Sequence, residues 1–393
     1  MKSPSPEAIF APATEVVRLG RDPVRFDGFV NPPVVRGSTV LYPSYDDLVR
    51  HKARYTYGRR GNPTTEALET ALNALEGAEG TVLTPSGLSA ITTALLAVVG
   101  SGDHLLVVDT AYRPTRRFCD TILTRLGVEV TYYDPLIGAG IDGLIKPNTR
   151  AVFLESPGSQ SFEMQDVPAI ARIARAHGIT TLMDNTWATP IYFRPLAHGI
   201  DISISAGTKY LSGHADLNLG TISASGEAWR KVQTTHGDLG ICVSPEDAAL
   251  GSRGLRTLVV RLERHWRSGL AVARWLAEQP QVARLLHPAL ESDAGHAIWS
   301  RDFAGASGLF GVILKPAPEP AVAAFFDALV LFGMGYSWGG FESLAIPFDC
   351  SDYRTATQWR AEGPAIRLHI GLEEPADLIA DLAQAFAKLD AAR

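Results

Sequence analysis

Apolar residues recur along this chain with two periods, and between residues 63 and about 225 the two alternate. Residues 64–76 have helical spacing and are closed by Gly77; residues 87–99 repeat the pattern up to Gly100. A strand is expected at 104–109 and a helix at about 114–126. Short apolar, β-branched runs at 128–133, 151–155, 180–183 and 202–205 predict more strands, with a helix at 167–177 between two of them. Such alternation predicts a largely parallel sheet covered by helices on both faces. Around Pro245 the pattern becomes one long helical stretch, 246 to about 278, with a break or bend expected near Gly251 and Gly254. Strands at 309–314 and 365–370 and helices at about 320–331 and 375–389 then predict a smaller α/β domain. Residues 1 to about 56 are rich in proline and polar residues, without a long periodic segment, which reads as an extended arm. The expected division is therefore an arm (1–56), a large domain (57–245) and a C-terminal domain (246–393).

Composition narrows the partners. The chain has 393 residues, 46% hydrophobic and 20% charged, as expected of a globular protein large enough for two domains. A net charge of −6 leaves no basic stripe, so nucleic acid and anionic membrane are poor partners and a small molecule is expected. Cys119, Cys242 and Cys350 lie far apart, without metal-ligand spacing, so neither a disulfide framework nor a metal site is expected. A reducing, cytoplasmic setting fits. Residues 1–12 lack the apolar core of a signal peptide, and every apolar run stops short of the ~20 residues that cross a bilayer.

In open α/β sheets ligands bind beyond the carboxyl ends of the strands, which directs attention to four places. The first is Lys209, which follows the small-residue strand Ile202–Ser205 and is one of only seven lysines. A lysine held there can shed its proton and form a Schiff base with an aldehyde cofactor. The second, Ser86-Gly87-Leu88, opens a helix whose free N–H groups suit a phosphate. Asp184 ends a strand where a carboxylate can keep a ring nitrogen protonated, and Tyr112 follows another where an aromatic can lie against a planar ring. Ser205 and Thr208 flank the lysine with hydroxyls. Each feature alone has an ordinary reading: a snorkelling lysine, an N-cap, a turn-forming aspartate, a packing tyrosine. Together they are the parts of a pyridoxal phosphate site.

With those parts in place, the chain resembles the Cys/Met metabolism enzymes that use pyridoxal phosphate, and among them the bacterial cystathionine β-lyases. The resemblance rests on Tyr57-Gly58-Arg59-Arg60-Gly61, Pro85-Ser86-Gly87, Leu154-Glu155-Ser156-Pro157-Gly158, Asp184-Asn185-Thr186-Trp187-Ala188, Gly207-Thr208-Lys209-Tyr210-Leu211-Ser212-Gly213-His214, Tyr336-Ser337-Trp338-Gly339-Gly340 and Arg367-Leu368-His369-Ile370-Gly371. It implies fold type I, with a mostly parallel seven-stranded sheet. It also implies that Lys209 holds the cofactor covalently and acts as the base, that Asp184 pairs with the ring nitrogen, and that Tyr112 stacks on the ring. The phosphate falls to Gly87, Leu88, Ser205 and Thr208, and to Tyr57 and Arg59 of a neighbouring subunit in a dimer of dimers. Ser337, Trp338 and Arg367 are left for the substrate, with Arg367 on its α-carboxylate. The implied reaction releases pyruvate, ammonia and a thiol, homocysteine if the substrate is cystathionine. Another S-substituted cysteine, a γ-acting relative (a methionine γ-lyase or cystathionine γ-synthase), or a non-catalytic cofactor carrier are the alternatives. One departure bears on the substrate: where β-lyases carry an acidic residue soon after the stacking tyrosine, this chain has Arg113, Arg116 and Arg117. They would make the pocket rim cationic if they reached it.

Overall fold

The computed structural model describes residues 10–393. Seven strands form the larger sheet: β1 (Gly80–Thr84), β2 (His104–Val108), β3 (Glu129–Tyr133), β4 (Thr149–Glu155), β5 (Thr180–Asp184), β6 (Ile202–Ser205) and β7 (Gly220–Ala224). Their order is β1-β7-β6-β5-β4-β2-β3. From β3 to β6 every pairing is parallel, while β7 runs antiparallel to both β6 and β1. The mostly parallel, helix-covered sheet expected from the sequence is the one observed. Two of its strands escaped the sequence reading. β1 (GTVLT) and β7 (GTISA) are buried at every position, so neither alternates, and their small residues carry little strand signal.

Local chemistry sets the helix starts that matter for the site. Asn62 forms a capping box with Thr65 ahead of the helix Pro63–Glu76, which stops at Gly77 in the left-handed region (φ 69°). Ser86 caps the helix Gly87–Val98 by accepting the Ser89 N–H. The long helical stretch is two helices, Pro245–Arg256 and Leu258–Ala277. They join at Thr257, so the break expected at Gly251 and Gly254 is misplaced: both glycines lie inside the first helix. They are there for packing, since a Cβ on Gly254 would sit 2.4 Å from the Ser212 carbonyl oxygen. The helix Gly226–Asp238 was not foreseen.

The smaller sheet is wholly antiparallel: β8 (Val282–Leu286), β9 (Leu309–Leu314), β10 (Leu344–Phe348) and β11 (Ala365–His369), ordered β10-β11-β9-β8. It covers its own apolar cluster, with Phe310, Phe325, Leu368, Leu382 and Phe386 buried together. Each such side chain contributes about 1.5–3 kcal/mol when fully buried. The two sheets are tied at the ends facing each other. The Trp187 indole N–H donates to Leu309 O at 2.9 Å, and the Gly308 N–H donates to the Tyr210 hydroxyl at 3.0 Å. The site lies beside these ties.

The N-terminal arm begins outside the described residues. From Phe10 onward it is less extended than expected, with short helices at Pro12–Arg18 and Tyr45–Val49. Val16 is buried, and Arg256 donates to the carbonyls of Val16 (2.8 Å) and Leu19 (2.6 Å), docking the arm's first turn on its own chain. Farther along, Val24, Phe29, Leu41 and Tyr45 are exposed. Among the described residues no helix is long and apolar enough to cross a membrane.

Candidate active site

The carboxyl ends of β4, β5 and β6 open into a cleft of about 250 Å³, closed on its far side by the segment 336–338 and by β11. Lys209 lies in the turn after β6, a turn locked by Thr208, whose hydroxyl accepts the Leu219 N–H (2.9 Å) and donates to Leu219 O (3.2 Å). The Lys209 Nζ donates to Ser337 Oγ at 2.6 Å and stands 5.3 Å from the centre of the Trp338 ring. Burial first, and then the Arg367 charge, pull the amine down to about 8, against the pull of Asp184. A lysine in this state is readily deprotonated near neutral pH.

Asp184 ends β5 and is buried. Its Oδ1 accepts both the N–H (2.9 Å) and the hydroxyl (2.5 Å) of Thr186, which leaves Oδ2 for a ligand in the cleft. Burial raises its pKa, while Thr186 and then Lys209 draw it back toward the charged form. Tyr112 follows β2, lines the same cleft and is half-exposed. Its phenol is pushed up, by burial first and by Glu155 and Asp184 next, so the hydroxyl keeps its proton.

At the other end, Gly87 and Leu88 line the cleft at the start of their helix, and neither of their N–H groups has a partner within the described residues. Gly87 must be glycine: a Cβ there would lie 2.4 Å from the Ala206 Cβ, at the end of β6. Ser205, expected at the phosphate, does not line the cleft; its Oγ is buried beneath it with no hydrogen-bond partner. Thr208 lines the cleft, but both capacities of its hydroxyl are spent on Leu219, so of the two hydroxyls expected at a phosphate only Ser205 is unengaged.

The remaining wall is an irregular loop. Ser337 has φ +94° and Gly339 φ +86°, and a Cβ on Gly339 would press within 3.0 Å of the Lys209 and Tyr210 backbone. Arg367 donates to Ser337 O (3.0 Å), and two residues along the same face of β11 the buried His369 Nε2 accepts the Gly339 N–H (3.1 Å). Arg367 is pulled down to about 10 by burial and keeps its charge at neutral pH. Ser337 and Trp338 thus meet Lys209 and Arg367, as the sequence implied.

Tyr57 and Arg59, expected at a neighbouring subunit's phosphate, lie away from this chain's own cleft; Tyr57 is exposed, and Arg59 donates to Gly237 O at 3.0 Å. Other residues were placed differently by the sequence or were missed. Arg116 and Arg117 do not form a cationic rim. Arg116 is buried, bonded to Asp109 at 2.9 Å and to Tyr353 O at 2.5 Å, and Arg113 pairs with Asp352. Arg117 is exposed on the outer side of that helix, lining a separate depression. The sequence reading missed Glu155 and His369, although both stand in motifs it quoted. Their signal was position: Glu155 ends the strand beside Asp184, and His369 is two residues from Arg367 on one strand.

These residues fit pyridoxal phosphate. A lysine amine, a carboxylate with a free Oδ2, an aromatic face and unpaired N–H groups at a helix start surround one cleft, matching the cofactor's aldehyde, ring nitrogen, ring and phosphate. Residues 13–387 match the model for Cys/Met metabolism PLP-dependent enzymes. A putative cystathionine beta-lyase of Rhizobium johnstonii is 55% identical over 382 residues, covering 96% of each chain. The cystathionine beta-lyase of Escherichia coli is 44% identical over 387 residues, covering 96% of this chain and 98% of that one. Among solved structures, cystathionine gamma synthase of Xanthomonas oryzae pv. oryzae in complex with cystathionine superposes with a TM-score of 0.91 at 30% identity, covering 98% of this chain and all of the other. The chain belongs to the Cys/Met metabolism family of PLP-dependent enzymes, and its cofactor is pyridoxal 5'-phosphate.

Proposed function

We propose that the protein is a carbon–sulfur β-lyase that cleaves L-cystathionine to homocysteine, pyruvate and ammonia. The observation that carries the chemistry is the convergence of Lys209, Asp184 and Arg367 on one cleft. The substrate assignment is supported by relatives named cystathionine beta-lyase at 42–55% identity over most of the chain.

Bound pyridoxal phosphate supplies an electron sink that acidifies the Cα–H of an amino acid. Lys209 would hold the cofactor and then serve as the base for that proton, a role suited to an amine pulled down to about 8. Asp184 would hold the ring nitrogen protonated through Oδ2. Gly87 and Leu88 would hold the phosphate through their free N–H groups, with Thr208 shaping that end through its ties to Leu219. Arg367 would take the substrate carboxylate through two parallel N–H bonds, which aims Cα at the lysine. Tyr112 would cover the ring and, keeping its proton, can donate it to the departing sulfur. Trp338 would wall the substrate.

Tyr57 and Arg59 are proposed to complete a phosphate site in a neighbouring subunit, and the exposed apolar residues of the arm support a homo-oligomer, a dimer of dimers. The division into an arm (1–56), a cofactor domain (57–245) and a C-terminal domain (246–393), and a cytoplasmic location, belong to the same proposal. Incubation with cystathionine, cystine and methionine tests it. Pyruvate and homocysteine from cystathionine are expected; 2-oxobutyrate as the main keto acid would replace β-elimination with a γ-elimination.

A further inference from the structure

Glu155 lies in the cleft and takes no part in the reaction as described. It ends β4 in register with Asp184 at the end of β5, so two buried carboxylates stand side by side on the cleft floor. Their partners differ. Asp184 is bonded to Thr186, whereas Glu155 Oε2 accepts the Tyr112 N–H at 2.7 Å. Tyr112 is where the chain leaves the turn after β2 and enters the helix Arg113–Phe118, with an extended backbone (φ −46°, ψ 127°) and no side-chain cap. The contact with Glu155 is the hydrogen bond made by its amide, and it fixes the point from which the phenol projects.

Resting on the cofactor site proposed above, we infer that Glu155 is a positioning residue that pins Tyr112 over the cofactor through the tyrosine's backbone amide. It acts as an acceptor, not as a charge. Two adjacent carboxylates in a buried site do not both ionise, and the proton goes to the one with less compensation. Asp184 has the Thr186 hydrogen bonds and the Lys209 cation to favour its charge; Glu155 has the Tyr112 amide and the Ser159 side chain, but the titratable groups facing it are Asp184, Tyr112 and Tyr353, none of them cationic. Lys209 and Arg367 stand across the cleft. Burial first, and Asp184 second, hold the Glu155 carboxyl well above the usual range. The neutral acid leaves Asp184 as the one negative charge beside the ring nitrogen, while its carbonyl oxygen still receives the amide.

The test compares Glu155→Gln with Glu155→Ala in the holoenzyme, reading cofactor dissociation and the pH titration of the bound cofactor's absorption band. Glutamine keeps the acceptor and never carries charge, so E155Q is expected to match the parent in both within about twofold, and E155A to release cofactor about tenfold more readily. E155Q as impaired as E155A, or E155A unchanged, overturns the inference. If E155A does not fold, thermal unfolding of E155Q apoprotein against pH decides, without reference to the cofactor. A carboxyl with a raised folded pKa contributes stability that is complete below its ordinary value of 4.5 and is lost as pH rises toward the folded one. E155Q should therefore equal the parent in acid and exceed it increasingly at higher pH; a uniform deficit overturns the inference.

Discussion

The two walls of the cleft are built differently. The wall made by β4, β5 and β6 consists of strand ends and one locked turn: Glu155 and Asp184 project from paired strand backbone, and Lys209 from the turn that Thr208 ties to Leu219. The opposite wall is the loop around Ser337, with two positive φ angles in three residues and an almost fully exposed Tyr336. It keeps its shape through a few side chains: Arg367 on Ser337 O, His369 on the Gly339 N–H, and Lys209 on the Ser337 hydroxyl. Gly339 adopts its positive φ freely, but at Ser337 such a conformation costs about 1–3 kcal/mol and persists where its surroundings enforce it. In the function proposed above, cofactor binding rests on the rigid wall and substrate selection on the wall that a few contacts support.

Breaking the rigid wall should cost most. Lys209→Ala is expected to lower turnover by at least about 10²–10⁴-fold and to abolish the absorbance of covalently held cofactor. Retained turnover would mean that the chemistry lies elsewhere. On the opposite wall, Arg367→Ala should lower kcat/KM by about 10–100-fold, mostly through KM, while leaving the cofactor spectrum unchanged. A spectral change of the size seen in the lysine variant would erase the distinction between the walls. His369→Ala removes one buried acceptor, for about 1–3 kcal/mol at most, and should lower kcat/KM several-fold with cofactor affinity intact; steady-state kinetics beside cofactor titration separate the two.

The smallest effect concerns apoprotein stability. Lys209 binds protons less readily folded (about 8) than unfolded (10.5), so between those values the unfolded state holds more protons and stability rises with pH. Lys209→Met apoprotein should lose that rise in melting temperature, and a curve parallel to the parent's would contradict the burial of the amine.

Much of the rigid wall could be read from the sequence, because its features are local. Lys209 directly follows an apolar run, Asp184 ends another, and Gly87 stands at a helix start. Glu155 escaped because its significance depends on which strand lies beside β5, and strand order is not a local property. β1 and β7 escaped for a related reason, since strands buried on both faces have no polar phase. The arginines after Tyr112 misled because charge was read without partners. Asp109, seven residues before Arg116, and the distant segment 352–355 together draw Arg113 and Arg116 away from the cleft.

By itself the sequence determined the fold class and the cofactor, and singled out the lysine, carboxylate and arginine to which the proposed function assigns the chemistry. These follow from periodicity and from short motifs whose residues are neighbours in the chain. The tertiary structure alone decided that two carboxylates share the cleft floor, that Thr208 is engaged by Leu219, that His369 accepts the Gly339 N–H of the loop opposite, and that Arg113 and Arg116 are held away from the cleft, Arg116 in a buried pairing. Most of these depend on contacts between segments far apart in sequence, and all on how the chain packs once strand order is set.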